Sequence, residues 1–287
     1  MLSELEPLAR SPGAYAFAVL LGLLWGSFAN VCIYRWAPSE EHPEGRSVVK
    51  PGSHCSACKR PIRWYDNVPL LSYLWLRGRC RDCGATFSAR YLLVEALTGA
   101  LFGVAYWFCL GPAGMLEPFE MRLIRFVVMA AFVFVMIVIT FIDIDTMLIL
   151  DKITIPSTVI FYGASLLLHH PWSEGLIGIA VGYGVPWSIG TLYHWIRKRE
   201  GLGLGDAKLL AVVGALLGWK GVVVSLFGGS VLGTVLTLVA MASAQKNEDG
   251  TSKLTAELAF GPYLAAAAVF YLFAEPWIEL HLRLAGN

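Results

Sequence analysis

Two short acidic segments carry side chains that could hydrolyse a peptide bond. Asp143-Ile-Asp145 follows an uncharged run of 17 residues, and Gly203-Leu-Gly205-Asp206 leads directly into a short apolar segment. Two carboxylates held close together cannot both ionise, so they share one proton. The ionised group takes a proton from water, while the protonated group donates to the carbonyl oxygen and later to the leaving amine. Asp143 and Asp206 are therefore candidates for such a pair, whose apparent pKa values would belong to the pair.

The same residue types also have a structural interpretation. An aspartate near a helix N-terminus often caps the helix or complements its dipole, which is the alternative for Asp206. Asp145 lies two residues from Asp143, so on a helix it points to another face. Asp145 and Asp151 are therefore expected to be structural, whereas glycines before Asp206 would let a substrate strand approach closely. The candidate substrate-binding residues are Gly203, Gly205 and Lys208, with lipid or solvent contact as the alternative for the lysine.

Four cysteines form a second constellation. Cys55-Ser-Ala-Cys58 and Cys80-Arg-Asp-Cys83 are separated by 21 residues, which is typical of a zinc ribbon. Each pair can hold one tetrahedral ion from a tight turn, and four sulfurs leave no open position, so we predict a structural zinc. The surrounding segment is too polar to bury much apolar surface, so metal binding would supply its folding energy. Free thiols are one alternative; disulfides are another, although they are rare in the cytosol.

The rest of the chain must position these groups in a membrane. Of the 287 residues, 56% are hydrophobic and 15% are charged, against about 25% charged in ordinary soluble proteins. This balance excludes a disordered chain and argues against a soluble enzyme. A spanning helix needs about 17–25 mainly apolar residues. Uncharged runs of this length scale cover residues 14–34, 96–116, 126–142, 153–168, 175–196, 221–245 and 258–274, and a shorter eighth covers 209–219.

The distribution of Lys and Arg predicts the orientation. With eight spans, segments 35–90, 143–152, 197–208 and 246–257 share one face and hold 17 of the 22 basic residues. The positive-inside rule makes that face cytoplasmic. The formal net charge of +1 indicates no nucleic-acid partner. We predict an all-α polytopic membrane protein with about eight transmembrane helices and a small cytoplasmic zinc-ribbon-like insert between the first and second. The predicted parts are 1–36, the first span; 37–90, the insert; and 91–287, the peptidase core.

Seven motifs in order resemble the type IV prepilin peptidases, the bifunctional leader peptidase and N-methyltransferase family. The two CxxC pairs resemble its cytoplasmic zinc-binding domain, and the two aspartate segments resemble its catalytic motifs, the second being the GxGD signature. The chain has Leu92 and Leu150 where the family commonly has proline, which affects helix entry and kinking. The other similar motifs are Gly26-Ser-Phe-Ala-Asn30-Val before Arg35, Asn67-Val-Pro69-Leu-Leu-Ser72, Arg90-Tyr91-Leu-Leu-Val-Glu95 and Phe260-Gly261-Pro262-Tyr263.

The resemblance implies the activity and the substrate. Asp143 and Asp206 would be the catalytic pair, and Cys55, Cys58, Cys80 and Cys83 the zinc ligands. The substrates would be type IV prepilins or type II secretion pseudopilins, cleaved after a glycine at the cytoplasmic face of the bacterial inner membrane. Family members often then methylate the new amino terminus with S-adenosylmethionine, and the residues that would bind this donor are not indicated by the sequence.

Other functions remain open from the residues alone. An ion-coupled transporter could use the same aspartates as ion ligands or proton relays, but this would not explain a zinc ribbon in the first loop. A non-catalytic assembly scaffold could use the ribbon for docking. Both alternatives predict that Asp to Asn changes leave prepilin length untouched. A related GxGD protease without N-methylation would be distinguished by a methyl-transfer assay.

Overall fold

The computed structural model describes residues 6–111, 117–198, 203–243 and 259–285, and its regular elements there are helical. Only isolated bridges, and no strand, occur within these described ranges, which confirms the predicted all-α class. The chain divides into two compact units, Met1–Thr146 and Met147–Asn287. The helices are α1 (Glu6–Ala9), α2 (Pro12–Trp36), α3 (Leu71–Trp75), α4 (Arg90–Leu110), α5 (Phe119–Thr146), α6 (Asp151–Leu167), α7 (Trp172–Arg197), α8 (Leu204–Ser243) and α9 (Gly261–Ala285), with a 3-10 turn at Trp64–Asn67.

The first unit is built on α2, α4 and α5, which pack against one another. The Ser11 hydroxyl caps α2 by accepting from the Ala14 N–H at 3.2 Å. Helices α2 and α4 approach closely through small residues: a Cβ at Gly26 would lie 2.7 Å from the Cα of Glu95. In lipid, where apolar surface does not drive helices together, small residues at the contact permit this close packing.

A buried arginine closes one end of this unit. Arg122 of α5 is 2% exposed, and its guanidinium donates to the carbonyls of Cys109, Leu110 and Gly111 at the end of α4. The last carbonyls of a helix have no partner within the helix, and the guanidinium supplies donors for them. It also forms an ion pair with Glu6 of α1 at 2.9 Å. Arg122 therefore joins α1, α4 and α5 at the end of the unit that is remote from the cysteine insert.

The second unit contains α6 to α9, with α8 in contact with the other three helices. Helices α7 and α8 approach so closely that a Cβ at Gly178 would lie 2.2 Å from the carbonyl oxygen of Gly214. Helix α8 is interrupted at Gly218, where φ is 65° and ψ is −172°. Glycine adopts this backbone conformation without the steric cost that a Cβ would bring. The predicted segments 209–219 and 221–245 are thus joined at a kink rather than by a loop.

Five helices of the described chain are long and apolar enough to cross a membrane: Pro12–Trp36, Arg90–Leu110, Phe119–Thr146, Trp172–Arg197 and Leu204–Val239. Their number and length indicate a multi-pass membrane protein. The count of eight spans stays a prediction. Residues 112–116, 244–245 and 258 of the predicted runs, and all of the predicted loop 246–257, lie outside the described residues.

Two helices begin earlier than the uncharged runs predicted. Helix α4 begins at Arg90 rather than at residue 96, and α5 begins at Phe119 rather than at 126. The uncharged runs begin only after Glu95 and Arg125, which lie within α4 and α5 and have partners: Glu95 accepts from the Leu70 N–H, and Arg125 pairs with Glu117. A search for charge-free runs excludes such residues, although pairing makes them compatible with a membrane helix.

Candidate active site and metal centre

Asp143 lies on the buried face of α5, three residues before the helix ends. Its exposed fraction is 4%, and it follows Phe132, Met136 and Ile139 on the same apolar stripe, each no more than 1% exposed. Residues spaced by three and four positions share one helix face. A carboxylate on such a face is costly to bury and is a default candidate for function at membrane depth.

Asp145 has a different environment from Asp143, although it is two residues away. Its carboxylate forms an ion pair with Arg90, the first residue of α4. The Arg90 guanidinium also donates to the Phe141 carbonyl at 2.8 Å and lies 4.8 Å from the centre of the Phe141 ring. Asp145 therefore joins the end of α5 to the beginning of α4, in agreement with the structural role expected for it.

Asp206 lies in the second unit, in the first turn of α8, and is half-buried. Its N–H donates to the Gly203 carbonyl at 3.1 Å. A Cβ at Gly203 would lie 3.4 Å from a carboxylate oxygen of Asp206, and one at Gly205 would lie 3.1 Å from the Cβ of Ile149. Because neither glycine has a side chain, the space beside the Asp206 carboxylate stays open at this turn. The first turn is also where an acidic residue complements the helix dipole, so the structural alternative has a geometric basis.

Lys208 has a carboxylate partner that the sequence did not reveal. Its ammonium lies 2.5 Å from a carboxylate oxygen of Asp151, and both side chains are partly exposed. Asp151 is the first residue of α6, so the ion pair joins the beginnings of α6 and α8 within the second unit. This pair lies two residues from Asp206 along the chain, and it suits a role in holding the first turn of α8 in place.

The four predicted cysteine ligands come together in the first unit. The Sγ atoms of Cys55, Cys58, Cys80 and Cys83 all lie within 4.8 Å of one another. The Sγ atoms of Cys55 and Cys83 are 3.8 Å apart, which matches the separation of about 3.8 Å that a tetrahedron with Zn–S bonds of about 2.3 Å requires. All four are free thiols, so the disulfide alternative is not what the structure contains. The cluster could hold a metal ion, and its donor set fits zinc.

The two CxxC turns have the same local structure. The carbonyl of Cys55 accepts from the Lys59 N–H, and that of Cys80 accepts from the Gly84 N–H, each at 2.9 Å. Lys59 and Gly84 occupy equivalent positions and both have positive φ, 58° and 73°. Short bridges close both turns, His54 with Pro61 and Arg79 with Thr86. Two equivalent turns that face each other are the arrangement that closes a four-sulfur shell.

Electrostatics at this cluster favour a bound cation. Hydrogen bonds from the N–H groups of Cys58 and Ala57 lower the pKa of the Cys55 thiol to about 7, although burial opposes this. The Ala85 N–H also favours ionised Cys83, but burial and the three neighbouring sulfurs outweigh it and raise the pKa of that thiol to about 11. Several thiolates at this spacing repel one another, and a divalent cation among them would remove that repulsion.

Further polar contacts attach the insert to the helices. Arg35, 6% exposed at the end of α2, donates to the carbonyls of Ser47, Pro51 and Gly52. Glu95 of α4 accepts from the Leu70 N–H at 2.8 Å. Both residues lie in motifs that the sequence singled out, but their partners are distant along the chain and unreadable from spacing. Within the insert, bidentate hydrogen bonds from Arg81 lower the pKa of the Asp66 carboxyl.

Comparison with known proteins places this geometry in context. Residues 20–109 match the bacterial Peptidase A24 N-terminal domain, and residues 130–238 match the type IV leader peptidase family. The prepilin leader peptidase/N-methyltransferase of Aeromonas salmonicida is 35% identical over 279 residues, 88% of each chain. That of Neisseria gonorrhoeae is 34% identical, covering 93% of this chain and 92% of its own. That of Stutzerimonas stutzeri is 34% identical over 99% of both chains. No solved structure matches the chain significantly.

Proposed function

Because the chain belongs to the type IV leader peptidase family, we propose that it removes the basic leader peptide from type IV prepilins, type II secretion pseudopilins or both. The family confirms the resemblance noted from the motifs. The observation that carries the proposal is the match to prepilin leader peptidases over nearly the whole chain, a chain that carries both aspartate segments. The buried position of Asp143 supports it, because a membrane protein rarely buries a carboxylate without a use.

In the proposed reaction, Asp143 and Asp206 act on a water molecule and the scissile bond after the leader glycine. One ionised carboxylate accepts a proton as the water oxygen attacks the carbonyl carbon. The other, protonated, donates to the carbonyl oxygen, and the leaving amine takes a proton as the C–N bond breaks. The backbone at Gly203 and Gly205 carries no side chains, so an extended substrate segment could lie close to it beside Asp206. Lys208 remains a candidate substrate contact, in competition with its ion pair to Asp151.

The substrate chemistry fits a multi-pass protein of the bacterial inner membrane. An apolar pilin helix would lie in the bilayer, while its basic leader and scissile bond would stay at the cytoplasmic face. The distribution of 17 basic residues supports an orientation in which the insert and the aspartates face the cytoplasm. We keep the three-part division of 1–36, 37–90 and 91–287 as the functional organisation of the chain, with the last part as the peptidase core.

Zinc would have a structural role in the insert. The proposed ligands are Cys55, Cys58, Cys80 and Cys83, which complete a four-sulfur shell without a position for water. Bound zinc would supply folding energy to a segment with few buried apolar side chains. The second activity, N-methylation of the new amino terminus, rests on the names of the relatives and requires S-adenosylmethionine as methyl donor.

A cleavage assay tests the proposed function. Detergent-solubilised, zinc-loaded protein would be incubated with prepilins and pseudopilins that carry their leaders, and the product masses followed with and without S-adenosylmethionine. We expect cleavage directly after the leader glycine and, with the donor, a product heavier by one methyl group. Full-length substrates throughout, with a folded protein, would contradict the proposal and favour the transporter or scaffold. Cleavage without methylation would show that the protein is a peptidase without methyltransferase activity.

A further inference from the structure

A short helix of the insert presents large apolar side chains to its surroundings. Helix α3 has five residues, and its Leu71, Leu74 and Trp75 side chains are each at least 62% exposed. Residues three and four positions apart lie on one face of a helix. These three side chains therefore form one apolar surface, which we call the α3 outer face. A cluster of exposed apolar side chains usually marks a contact with a protein or a membrane.

The opposite side of α3 already has partners within the insert. The Ser72 hydroxyl accepts from the Val68 N–H at 2.9 Å and donates to the Tyr65 carbonyl at 3.1 Å. The Tyr73 ring packs against Gly78 so closely that a Cβ at this glycine would lie 2.8 Å from the ring. The insert therefore holds α3 by its inner side and leaves the α3 outer face exposed.

The beginning of α3 is fixed by a strained turn. Leu70 has φ 58° and ψ −51°, and the Leu71 N–H donates to the Pro69 carbonyl at 2.6 Å. This is a γ-turn with positive φ, which is a rare conformation that persists only where the surroundings determine it. The Leu70 N–H donates to the Glu95 carboxylate of α4 at 2.8 Å. The turn therefore ties α3 to a helix that is long enough to cross a membrane.

The contact with Glu95 sets the level of α3 along α4. Helix α4 has 21 residues, and at a rise of about 1.5 Å per residue its length matches the roughly 30 Å hydrocarbon core. Glu95 lies one and a half turns after Arg90, about 7–8 Å into the helix. Helical side chains lean towards the N-terminus, so the Glu95 carboxylate lies between these two levels. With α4 across the core, α3 begins in the boundary layer of about 5–10 Å into which interfacial helices insert.

The charge of the insert complements an anionic lipid surface. Residues 37–90 contain nine Lys and Arg residues against five Asp and Glu residues. Arg77, two residues after the end of α3, is exposed, and the ion pairs of the described residues do not include it. Tryptophan is enriched at membrane interfaces, and basic residues near an anionic leaflet are attracted to it. Leucine, tryptophan and arginine are the residues with which interfacial helices bind lipid.

We propose that the α3 outer face lies in the bilayer interface on the side of the insert, with Leu71, Leu74 and Trp75 among the upper acyl chains and Arg77 at lipid phosphate groups. Five residues bury too little apolar surface to hold a soluble domain on a membrane. Helices α2 and α4, however, keep both ends of the insert at the bilayer, so the contact is intramolecular and needs little affinity of its own. It goes beyond the proposed function, because it requires no substrate.

Photo-cross-linking to lipid tests the proposal on the full-length protein. The photoreactive residue p-benzoylphenylalanine would replace Leu71, Leu74 or Trp75, one at a time, in nanodiscs of equimolar phosphatidylcholine and phosphatidylglycerol with identical acyl chains. Tyr73, on the inner side of the same helix, is one control position. Glu41, exposed in an acidic part of the insert that an anionic surface would repel, is the other. Mass spectrometry would identify the adducts of those variants that keep the thermal stability of the wild type.

We expect lipid adducts from the three positions of the α3 outer face and none above background from the two controls. A lack of lipid adducts at the outer positions would overturn the proposal. Adducts there with a second copy of the chain, or with a prepilin added to the nanodiscs, in place of lipid would also overturn it. Equal yields of lipid adduct at the outer and control positions would do the same, because they would show no preference for this face.

The contact of Arg77 with lipid phosphate has a separate readout. In the protein labelled at position 75, Arg77→Gln should lower the ratio of phosphatidylglycerol to phosphatidylcholine adducts by about fivefold, because one basic residue near an anionic surface favours anionic lipid by this factor. Arg125→Gln is the matched control, since Arg125 lies near the beginning of α5, at the other end of the unit. An unchanged ratio in Arg77→Gln, or an equal fall in Arg125→Gln, would overturn this contact.

Discussion

At the scale of single residues, burial distinguishes the acidic side chains from one another. Asp143 is buried on an apolar stripe, whereas Asp145 and Asp151 are partly exposed and ion-paired with Arg90 and Lys208. The two ion-paired carboxylates have a structural explanation. Burial on an apolar helix face makes Asp143 the candidate for a functional role. Asp143 and Asp145 differ in this way because two residues along a helix point to different faces.

The ion pair between Lys208 and Asp151 gives the first prediction. If Lys208 acts by holding the first turn of α8, Lys208→Met and Asp151→Asn should each lower the cleavage rate by about fivefold, and the double variant should cost no more than either change alone. The Michaelis constant for prepilin should stay unchanged in all three. A double-variant cycle on kcat and KM provides the measurement. A KM that rises only where Lys208 is replaced would indicate that this lysine binds substrate instead.

The sequence was sufficient to predict the roles of some site residues and not of others, and the difference has a physical reason. The CxxC pairs were readable because their geometry is local: each turn is set by residues at most a few positions apart. The partners of Arg35, Glu95 and Lys208 lie 12 to 57 residues away and are brought near by helix packing. Spacing along the chain does not encode such contacts. The motifs therefore identified these side chains but did not predict what they contact.

At the scale of elements, polar side chains complete the helix ends. Arg122 donates to three carbonyls at the end of α4, and Arg35 donates to three carbonyls of the insert after α2. Each guanidinium is almost fully buried. Arginine suits this task because its planar group carries five donors in a fixed geometry. Arg122 thus satisfies the terminal carbonyls of α4, whereas Arg35 satisfies carbonyls of the insert and attaches it to the end of α2.

Replacement of Arg122 gives the second prediction. Arg122→Met should destabilise the protein by about 3–5 kcal/mol, because it leaves the α4 carbonyls and Glu6 without their buried donor. Arg125→Met is the matched control three residues further along α5, since Arg125 pairs with Glu117 where both are partly exposed. That change should cost about 1 kcal/mol or less. Denaturant unfolding in mild detergent would measure both. Equal losses in the free energy of unfolding of the two variants would show that the helix-end contacts of Arg122 contribute no more to stability than the exposed ion pair of Arg125.

Removal of the metal gives the third prediction. Cys58→Ala should lose zinc and make residues 37–90 sensitive to protease, because folding of this insert depends on the four-sulfur shell. The helical circular dichroism of the membrane segments should change little. Cys109→Ala is the control, since Cys109 is buried in α4 away from the cluster. A protease-resistant insert in zinc-free protein would contradict a structural role for the metal.

At the scale of the whole molecule, the long apolar helices indicate a multi-pass membrane protein, and the basic loops predict its orientation. Five described helices have the length and hydropathy to span a bilayer. The sequence indicated this class directly, because spanning length is a physical constant of the bilayer. It did not indicate how α8 is organised. The interruption at Gly218 depends on one backbone conformation, which the hydrophobic pattern on either side does not reveal.

Epitope accessibility gives the fourth prediction. In spheroplasts, an epitope inserted after Glu41 should be reached by antibody only after permeabilisation, whereas one inserted after His169, in the turn following α6, should be reached directly. If both segments of α8 cross, an epitope at the C-terminus should also be reached directly. Cleavage of prepilin by the tagged proteins serves as the control for correct insertion. Exposure of the Glu41 epitope in sealed spheroplasts would overturn the orientation.

The most direct test of the central claim is prepilin cleavage by three single variants measured beside the wild type. Asp143→Asn and Asp206→Asn remove ionisation while nearly preserving shape, and Asp145→Asn makes the same change at an ion-paired neighbour. The dyad predicts a loss of at least about 100-fold in the first two variants and near wild-type cleavage in the third. Substantial cleavage by folded Asp143→Asn or folded Asp206→Asn would contradict the aspartyl mechanism.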